Sequence, residues 1–157
     1  MKALIVYDSE FGNTGQIART IANRLDEQLE VRLALARQLD PVNIPAVNLL
    51  LVGCPTQGWL PTLPIQDFFK LVPRETIAGL PAAAFDTRFR LSWVTGGSAA
   101  RSIAKRLSLL GAKLLLPPES FFVNDMEGPL ADGELERAAD WADQLLAQLI
   151  DIPQQAA

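Results

Sequence analysis

Residues 9–14 read Ser-Glu-Phe-Gly-Asn-Thr and lie between an apolar run, 3–7, and a segment whose apolar residues recur at helical spacing. The run predicts a buried strand, and the segment predicts a helix. A polar turn that contains glycine, placed between a strand and a helix, leaves backbone N–H groups pointing outward at the positive end of the helix dipole. This turn therefore predicts a phosphate site, to which Ser9, Asn13 and Thr14 could add side-chain donors.

The turn lacks the marks of two common phosphate loops. It has no Gly-Lys-Ser/Thr, which the lysine-bearing loop of ATP and GTP enzymes contains, and no Gly-x-Gly-x-x-Gly, which marks dinucleotide-binding domains. Taken alone, it could also be a polar turn that only caps a helix. The remainder of the chain has to distinguish these two interpretations.

Length and composition indicate one compact domain, residues 1–157. Hydrophobic residues make up 49% of the chain, which is typical of a globular protein with a sizeable core. No apolar run approaches the ~20 residues of a membrane span, and the start of the chain shows no signal peptide. Cys54 is the only cysteine, which excludes a disulfide within the chain. We expect a soluble, cytoplasmic protein.

Charge and residue usage exclude several classes of function. The net charge of −4 argues against nucleic acid as a partner, because binding it requires clustered Lys and Arg. The chain has no histidine, which excludes Ser-His-Asp and Cys-His catalysis and histidine-based metal sites. We therefore predict no catalytic residue and no metal site, and we expect any chemistry beyond simple acid–base work to belong to a cofactor.

Strand-like and helix-like segments alternate along the chain, which is typical of a parallel sheet covered by helices on both faces. Phe68, Phe69 and Leu71 are expected to face inward on a short helix, and Ser98 is expected to cap a later one. The last helix is expected to bury an apolar stripe that begins at Leu135 and to stop before Pro153. Five strands are predicted: 3–7, 31–35 at a sheet edge, 47–52 at the centre, 80–85, and a fifth that begins at 114–116 and resumes at 121–123 after two prolines.

A second informative loop, 53–62, follows the predicted central strand and reads Gly-Cys-Pro-Thr-Gln-Gly-Trp-Leu-Pro-Thr. Open α/β sheets bind ligands at the carboxyl ends of their strands, so this loop is well placed for a site. Turn residues flank Trp59, so we expect its ring at the surface, where it could stack on a planar ligand. The alternative is that Trp59 folds back over the next helix.

Five alternating strands, the Ser-x-x-Gly-Asn-Thr turn after the first and the tryptophan-bearing loop after the third together resemble a short-chain flavodoxin, whose phosphate loop runs Thr/Ser-x-x-Gly-Asn-Thr. The resemblance covers essentially the whole chain. It implies a flavodoxin-like three-layer α/β sandwich with a five-stranded parallel sheet in the order 2-1-3-4-5 and helices on both faces. It also implies FMN as the cofactor and electron transfer between redox partner proteins, which the sequence does not identify.

The resemblance assigns cofactor-binding roles by position in three segments. The first would hold the phosphate, the second would contact the ribityl chain and one face of the flavin, and the third would line the other side of the ring. The first comprises Ser9, Glu10, Phe11, Gly12, Asn13 and Thr14; the second Pro55, Thr56, Gln57, Gly58 and Trp59; and the third Asp86, Thr87, Arg88 and Phe89, with Trp93 as a further contributor.

The third segment departs from the family pattern. Flavodoxins commonly place a tyrosine and several acidic residues there, whereas this segment contains Arg88 and Arg90 and no tyrosine. Reduced flavin is anionic, so an arginine that faces the ring would raise the reduction potential. The alternative is that both arginines are solvated surface charges.

Two other functions stay open at this stage. An FMN-dependent NAD(P)H:quinone oxidoreductase of flavodoxin-like fold would use the same cofactor but needs one face of the ring open for hydride transfer. An interaction domain that has lost the flavin would keep only the fold. The expected oligomeric state is a monomer or a weak dimer. A low-molecular-weight phosphatase is excluded, since Cys-x5-Arg counted from Cys54 reaches Leu60.

Overall fold

The computed structural model describes residues 1–90 and 97–153, which form one parallel sheet with helices on both faces. The strand order is β2-β1-β3-β4-β5, and β6 also pairs with β4. This order confirms the flavodoxin-like sheet that the resemblance implied. The strands are β1 (Lys2–Tyr7), β2 (Glu30–Leu35), β3 (Leu49–Pro55), β4 (Pro81–Phe89), β5 (Lys113–Leu114) and β6 (Glu119–Val123).

The helices divide between the two faces because alternate residues of each strand point to opposite sides of the sheet. Ile5 and Leu51 pack with α1 and α5, whereas Leu4 and Leu50 pack on the other face with α2, α3 and α4. The helices are α1 (Asn13–Leu25), α2 (Leu63–Leu71), α3 (Arg74–Ile77), α4 (Ala99–Leu109) and α5 (Glu134–Asp151). No helix in the described part of the chain is long and apolar enough to cross a membrane.

The fifth strand is interrupted, as the two prolines predict. Its first part, β5, pairs with the start of β4, and its second part, β6, pairs with the end of β4 at Phe85–Phe89. The segment between the two parts contains Pro117 and Pro118, which cannot donate ladder hydrogen bonds. The interruption therefore leaves β6 beside the carboxyl half of β4, where it can contribute to a site.

Two strands continue beyond their predicted carboxyl ends. β3 continues through Gly53 to Pro55, and β4 continues to Phe89. The extensions pair with each other, Cys54 beside Asp86 and Pro55 beside Thr87. Asp86 and Thr87 lie beyond the predicted strand 80–85, so that boundary was wrong. Glycine and proline indicated the end of β3, but ladder pairing with a neighbouring strand outweighs this local preference.

Two leucines expected in the core are exposed. Leu71 is 59% exposed and Leu135 is 39% exposed, so both expectations were wrong. Leu71 ends its helix, and Phe68 and Phe69 occupy the inner face as predicted. At the start of α5 the buried side chain is Glu134, which is polar and therefore invisible to an apolar periodicity.

A salt-bridged network connects the start of α5 to β6. Glu134 accepts a hydrogen bond from the Phe122 N–H at 2.7 Å and one from Arg137 Nη2 at 2.7 Å. Arg137 also binds Glu119 and the Ser120 carbonyl, and its guanidinium carbon lies 4.6 Å from the centre of the Phe121 ring. Burial alone would raise the pKa of Glu134, but the hydrogen bonds from Arg137 and Phe122 outweigh it, so the pKa is lowered.

An aromatic cluster fills the face of the sheet covered by α1 and α5. The rings of Phe85, Phe121 and Trp141 meet edge to face, with centroids 6.0–6.4 Å apart. The Phe85 ring lies against Gly53 on the neighbouring strand, where a β-carbon would come within 2.3 Å of it. Glycine at position 53 is therefore required by the packing of this cluster.

Candidate functional site

A cavity of about 570 Å³ opens at the carboxyl ends of β1, β3 and β4. This is within the range of small-molecule and cofactor pockets, and parallel sheets bind ligands at this edge. Within the described part of the chain, the predicted cofactor-binding residues line it, except Ser9, Gly12 and Asp86. Trp93 lies outside the described residues. Val123 and Met126, which were not predicted, also line the cavity.

The first turn of α1 lies at this cavity, and Asn13 and Thr14 from it line the wall. Gly12 has φ of 90°, a left-handed conformation that favours glycine, and its carbonyl accepts the N–H of Gln16 at 3.0 Å. The N–H of Gly15 donates to Ser9 Oγ at 3.1 Å. The N–H groups of Asn13 and Thr14 come earlier in the turn and have no carbonyl partner within the helix. They can therefore donate to an anion at the helix N-terminus.

Side-chain hydrogen bonds hold this turn against two other segments of the site. Thr14 Oγ1 lies 2.7 Å from Thr87 Oγ1 on β4, and both side chains are buried. Asn13 Nδ2 donates to the Glu127 carbonyl at 3.2 Å, in the loop that also carries Met126. The predicted phosphate turn and the predicted third segment are thus in direct contact.

The second loop ends in a tight turn that presents Trp59 at the rim of the cavity. Gln57 and Leu60 exchange two backbone hydrogen bonds of 2.9 and 3.0 Å around Gly58 and Trp59. Both central residues are left-handed, with φ of 54° and 70°, as in a type I′ turn. This conformation is unusual for a bulky residue. Trp59 is 43% exposed, which confirms that it is not part of the deep core.

The first turn of α4 differs from that of α1, because side chains occupy its donors. The N–H of Ala99 donates to Thr56 Oγ1 at 2.9 Å, and that of Ala100 to Asp86 Oδ2 at 3.0 Å. Ser98 is the N-cap, as predicted, and its Oγ accepts the N–H of Arg101 at 3.2 Å. Asp86 is fully buried and also accepts from Thr56 Oγ1 at 2.8 Å. Asp86 does not line the cavity, but its hydrogen bonds connect Thr56 of the second loop to the first turn of α4.

The cavity carries little charge. Among the described residues that line it, Glu10 and Arg88 are the charged ones, and Glu10 accepts a hydrogen bond from the Gln57 side chain. Cys54 lies in the extended end of β3, at the start of the second loop, and is fully buried, and burial raises the pKa of its thiol to about 12. Burial and the raised pKa both disfavour the reactive thiolate form of this residue.

Val123 and Met126 were missed because no local signal marks them. Val123 pairs with Phe89, so its place beside the cavity depends on the register of β6 against β4. Met126 follows in the loop that contacts Asn13. The interrupted fifth strand could have indicated their position. A parallel strand that resumes beside β4 brings its carboxyl end, and the loop that follows, to the same edge of the sheet.

Known proteins match both the sequence and this fold. The chain matches the family model described as Flavodoxin over residues 5–144. A flavodoxin from the domain Archaea is 22% identical with a TM-score of 0.80, and the alignment covers 96% of this chain and 99% of that one. Flavodoxin 2 from Bacillus cereus is 24% identical with a TM-score of 0.79, over 94% of this chain and 99% of that one.

A larger enzyme contains a similar unit. Rubredoxin oxygen:oxidoreductase from Desulfovibrio gigas is 19% identical with a TM-score of 0.77, over 95% of this chain but 36% of that one. At such identities these structures show the fold alone. No curated protein matches the chain by sequence. The family model, however, spans most of the chain and includes the predicted phosphate turn. The chain therefore belongs to the flavodoxin family.

Proposed function

We propose that this protein binds FMN in the cavity and carries electrons between redox partner proteins. Membership of the flavodoxin family supports a flavin-binding electron-transfer role. The observation that carries the proposal for FMN is the first turn of α1, whose Asn13 and Thr14 N–H groups are open to a phosphate at the floor of a cavity with an aromatic rim. FMN, when bound, supplies the redox chemistry, and the protein supplies position and electrostatics.

The residues present fit this cofactor. The α1 turn offers backbone donors to a phosphate, although residues 9–14 include no lysine or arginine. The lining of the cavity is mostly apolar, as a planar ring system requires. Trp59 reaches the cavity from the second loop and Phe89 from the end of β4. They are 43% and 38% exposed, so both have surface available for stacking. Trp59 keeps this place in spite of its left-handed backbone, which supports a role in binding.

The test is calorimetric titration of the colourless protein with FMN, followed by an anaerobic reductive titration recorded by visible absorbance. Binding of one FMN and reduction in two resolved one-electron steps are expected. Direct two-electron reduction by NAD(P)H with turnover of a quinone would favour the reductase instead. Absence of FMN binding would favour the third function, an interaction domain that has lost the flavin.

Thr14→Val is expected to weaken FMN binding about tenfold or more, because a hydrogen bond to a charged group contributes ~1.5–3 kcal/mol. The variant removes a hydroxyl at the cavity floor and leaves Thr87 without its partner. Thr20→Val is the matched control, since Thr20 lies on the same helix and its hydroxyl donates to the Gln16 carbonyl. Calorimetric affinities that fall equally in the two variants would contradict the assignment of Thr14.

Arg88→Gln is expected to lower the potential for addition of the second electron by roughly 40 mV, on the order of 1 kcal/mol, because it removes a positive charge from the cavity wall. The guanidinium of Arg90 instead lies 4.5 Å above the Phe122 ring, outside the cavity, so Arg90→Gln should have a smaller effect. Arg106→Gln, on the exposed face of α4, is the control. Potentials measured against redox dyes check this, and an unchanged value in Arg88→Gln would refute it.

A further inference from the structure

A second cleft, of about 390 Å³, lies beside the cavity between α4 and β6. Three arginines line it, and we call it the arginine groove: Arg88 from β4, Arg90 just beyond β4, and Arg101 from the first turn of α4. Arg88 lines both the groove and the cavity, so the two share a wall. A molecule in the groove would therefore lie next to the proposed flavin.

Positive charge exceeds negative charge among the residues that line the groove, with three arginines and one glutamate. None of its three arginines forms an ion pair within the described part of the chain, whereas Arg24, Arg37 and Arg137 do. The groove contains one acidic residue, Glu119, and that carboxylate is bound by Arg137. Residues 91–96 are Leu-Ser-Trp-Val-Thr-Gly and contain no charged side chain. The groove is thus a positive patch on a protein whose net charge is −4.

The groove can bind an anion through guanidinium groups but not through the helix backbone. The first three N–H groups of α4 donate to Thr56, Asp86 and Ser98. Recognition is left to the arginines, whose planar forks match carboxylates bidentately. Arg90 is held in place over the Phe122 ring. This is a surface of side chains at the protein exterior, in contrast to the phosphate turn at the cavity floor.

We infer that the arginine groove is the docking surface for a carboxylate-rich face of an electron-transfer partner protein. The inference has two parts, binding of an acidic face and transfer of electrons to that partner. The second part rests on the proposed function. A positive patch on an otherwise negative protein attracts an acidic partner at one place and repels it elsewhere, so it orients the encounter. Since Arg88 belongs to both sites, that orientation brings the partner to the edge of the cavity.

The first experiment needs no flavin. Binding of a ten-residue polyglutamate peptide to the colourless protein is measured by calorimetry at low salt, with decalysine as the opposite-charge probe. Wild-type protein should bind polyglutamate, and binding should weaken steeply as salt is added. In the double variant Arg90→Gln/Arg101→Gln, each lost arginine should weaken binding about two- to fivefold, as expected for exposed ion pairs.

The matched control is the double variant Arg32→Gln/Arg106→Gln, which removes the same charge from exposed positions outside the groove. It should bind polyglutamate nearly as wild type does. Equal weakening in the two double variants would overturn the inference, because only the net charge would then matter. Displacement of polyglutamate by equimolar inorganic pyrophosphate would also overturn it, since the groove would then be a site for a small phosphate ligand.

The second experiment uses protein in which FMN binding has been demonstrated. Two ferricyanide ions each take one electron from one reduced FMN, and the rate is followed by stopped flow at several ionic strengths. An attractive patch predicts that salt slows this anionic oxidant and that Arg90→Gln/Arg101→Gln abolishes the slowing. A rate that rises with salt in wild type would refute the docking surface while leaving the flavin role intact. Failure to bind FMN would refute the proposed function and leave the peptide result standing.

Discussion

Gly53→Ala is expected to destabilise the folded protein by about 3 kcal/mol, the upper end of the range for overpacking a core. A β-carbon at position 53 would lie 2.3–2.5 Å from three atoms of the Phe85 ring. Phe85 cannot move aside, because it is fully buried and packs edge to face against Phe121 and Trp141. The added methyl must therefore displace the aromatic cluster or separate β3 from β4.

Urea denaturation followed by circular dichroism measures this effect through the transition midpoint at an unchanged slope. Gly15→Ala is the matched control, since its β-carbon would meet Ser9 Oγ at 3.5 Å and the mobile end of Arg19 at 3.2 Å. Gly15 lies inside α1, where alanine is the better helix former by roughly 0.5–1 kcal/mol, so this variant should be neutral or stabilised. A Gly53→Ala protein as stable as wild type would show that the cluster repacks freely.

Arg137→Met is expected to cost about 2–3 kcal/mol, less than a fully buried pair would, because Arg137 is 36% exposed. The variant leaves Glu134 buried without its cation and removes the contacts to Glu119 and the Ser120 carbonyl. The control is Arg24→Met, which breaks an exposed ion pair with Asp143 and should change the urea midpoint little. Equal midpoints for the two variants would contradict a stabilising role for the network.

The same network predicts a pH dependence whose sign is fixed by Glu134. The folded state lowers the pKa of this carboxyl, so its contribution to stability is fully present above the unfolded pKa of about 4.3 and is lost as pH falls through the folded pKa. Wild type should therefore be more stable than Glu134→Gln at pH 7, and the gap should close on acidification below about pH 4.3. A gap of constant size from pH 7 to pH 3 would show that charge plays no part.

Much of the fold follows from local signals. The apolar runs of β1 and β2, the Ser98 cap and the stop before Pro153 were predicted, because each depends on burial or capping within a few residues. The ends of β3 and β4 were not, since they depend on pairing between Pro55 and Thr87. The short helix α3 was missed as well, because a single turn leaves almost no periodicity to read.

The site could be predicted where its residues are contiguous in sequence. Asn13 and Thr14 belong to the 9–14 stretch and Trp59 to the second loop, both of which their composition marks, and the structure brings all three to one cavity. Val123 lies at the cavity because β6 pairs with β4, and the Asp86 side chain bonds to the Ala100 N–H instead of lining the cavity. Neighbouring residues in the sequence indicate neither position. Which side of a strand a residue occupies depends on register, and register is a tertiary property.

The different surroundings of two tryptophans give this protein a pair of built-in optical reporters. Trp141 is 3% exposed among Phe85 and Phe121, so its emission belongs at short wavelength and shifts to the red when the core opens. Trp59 is 43% exposed at the cavity rim, so its emission belongs at longer wavelength and is extinguished when an absorbing ligand stacks on it. In a Trp93→Phe background, one spectrum would then separate unfolding of the protein from occupancy of its cavity.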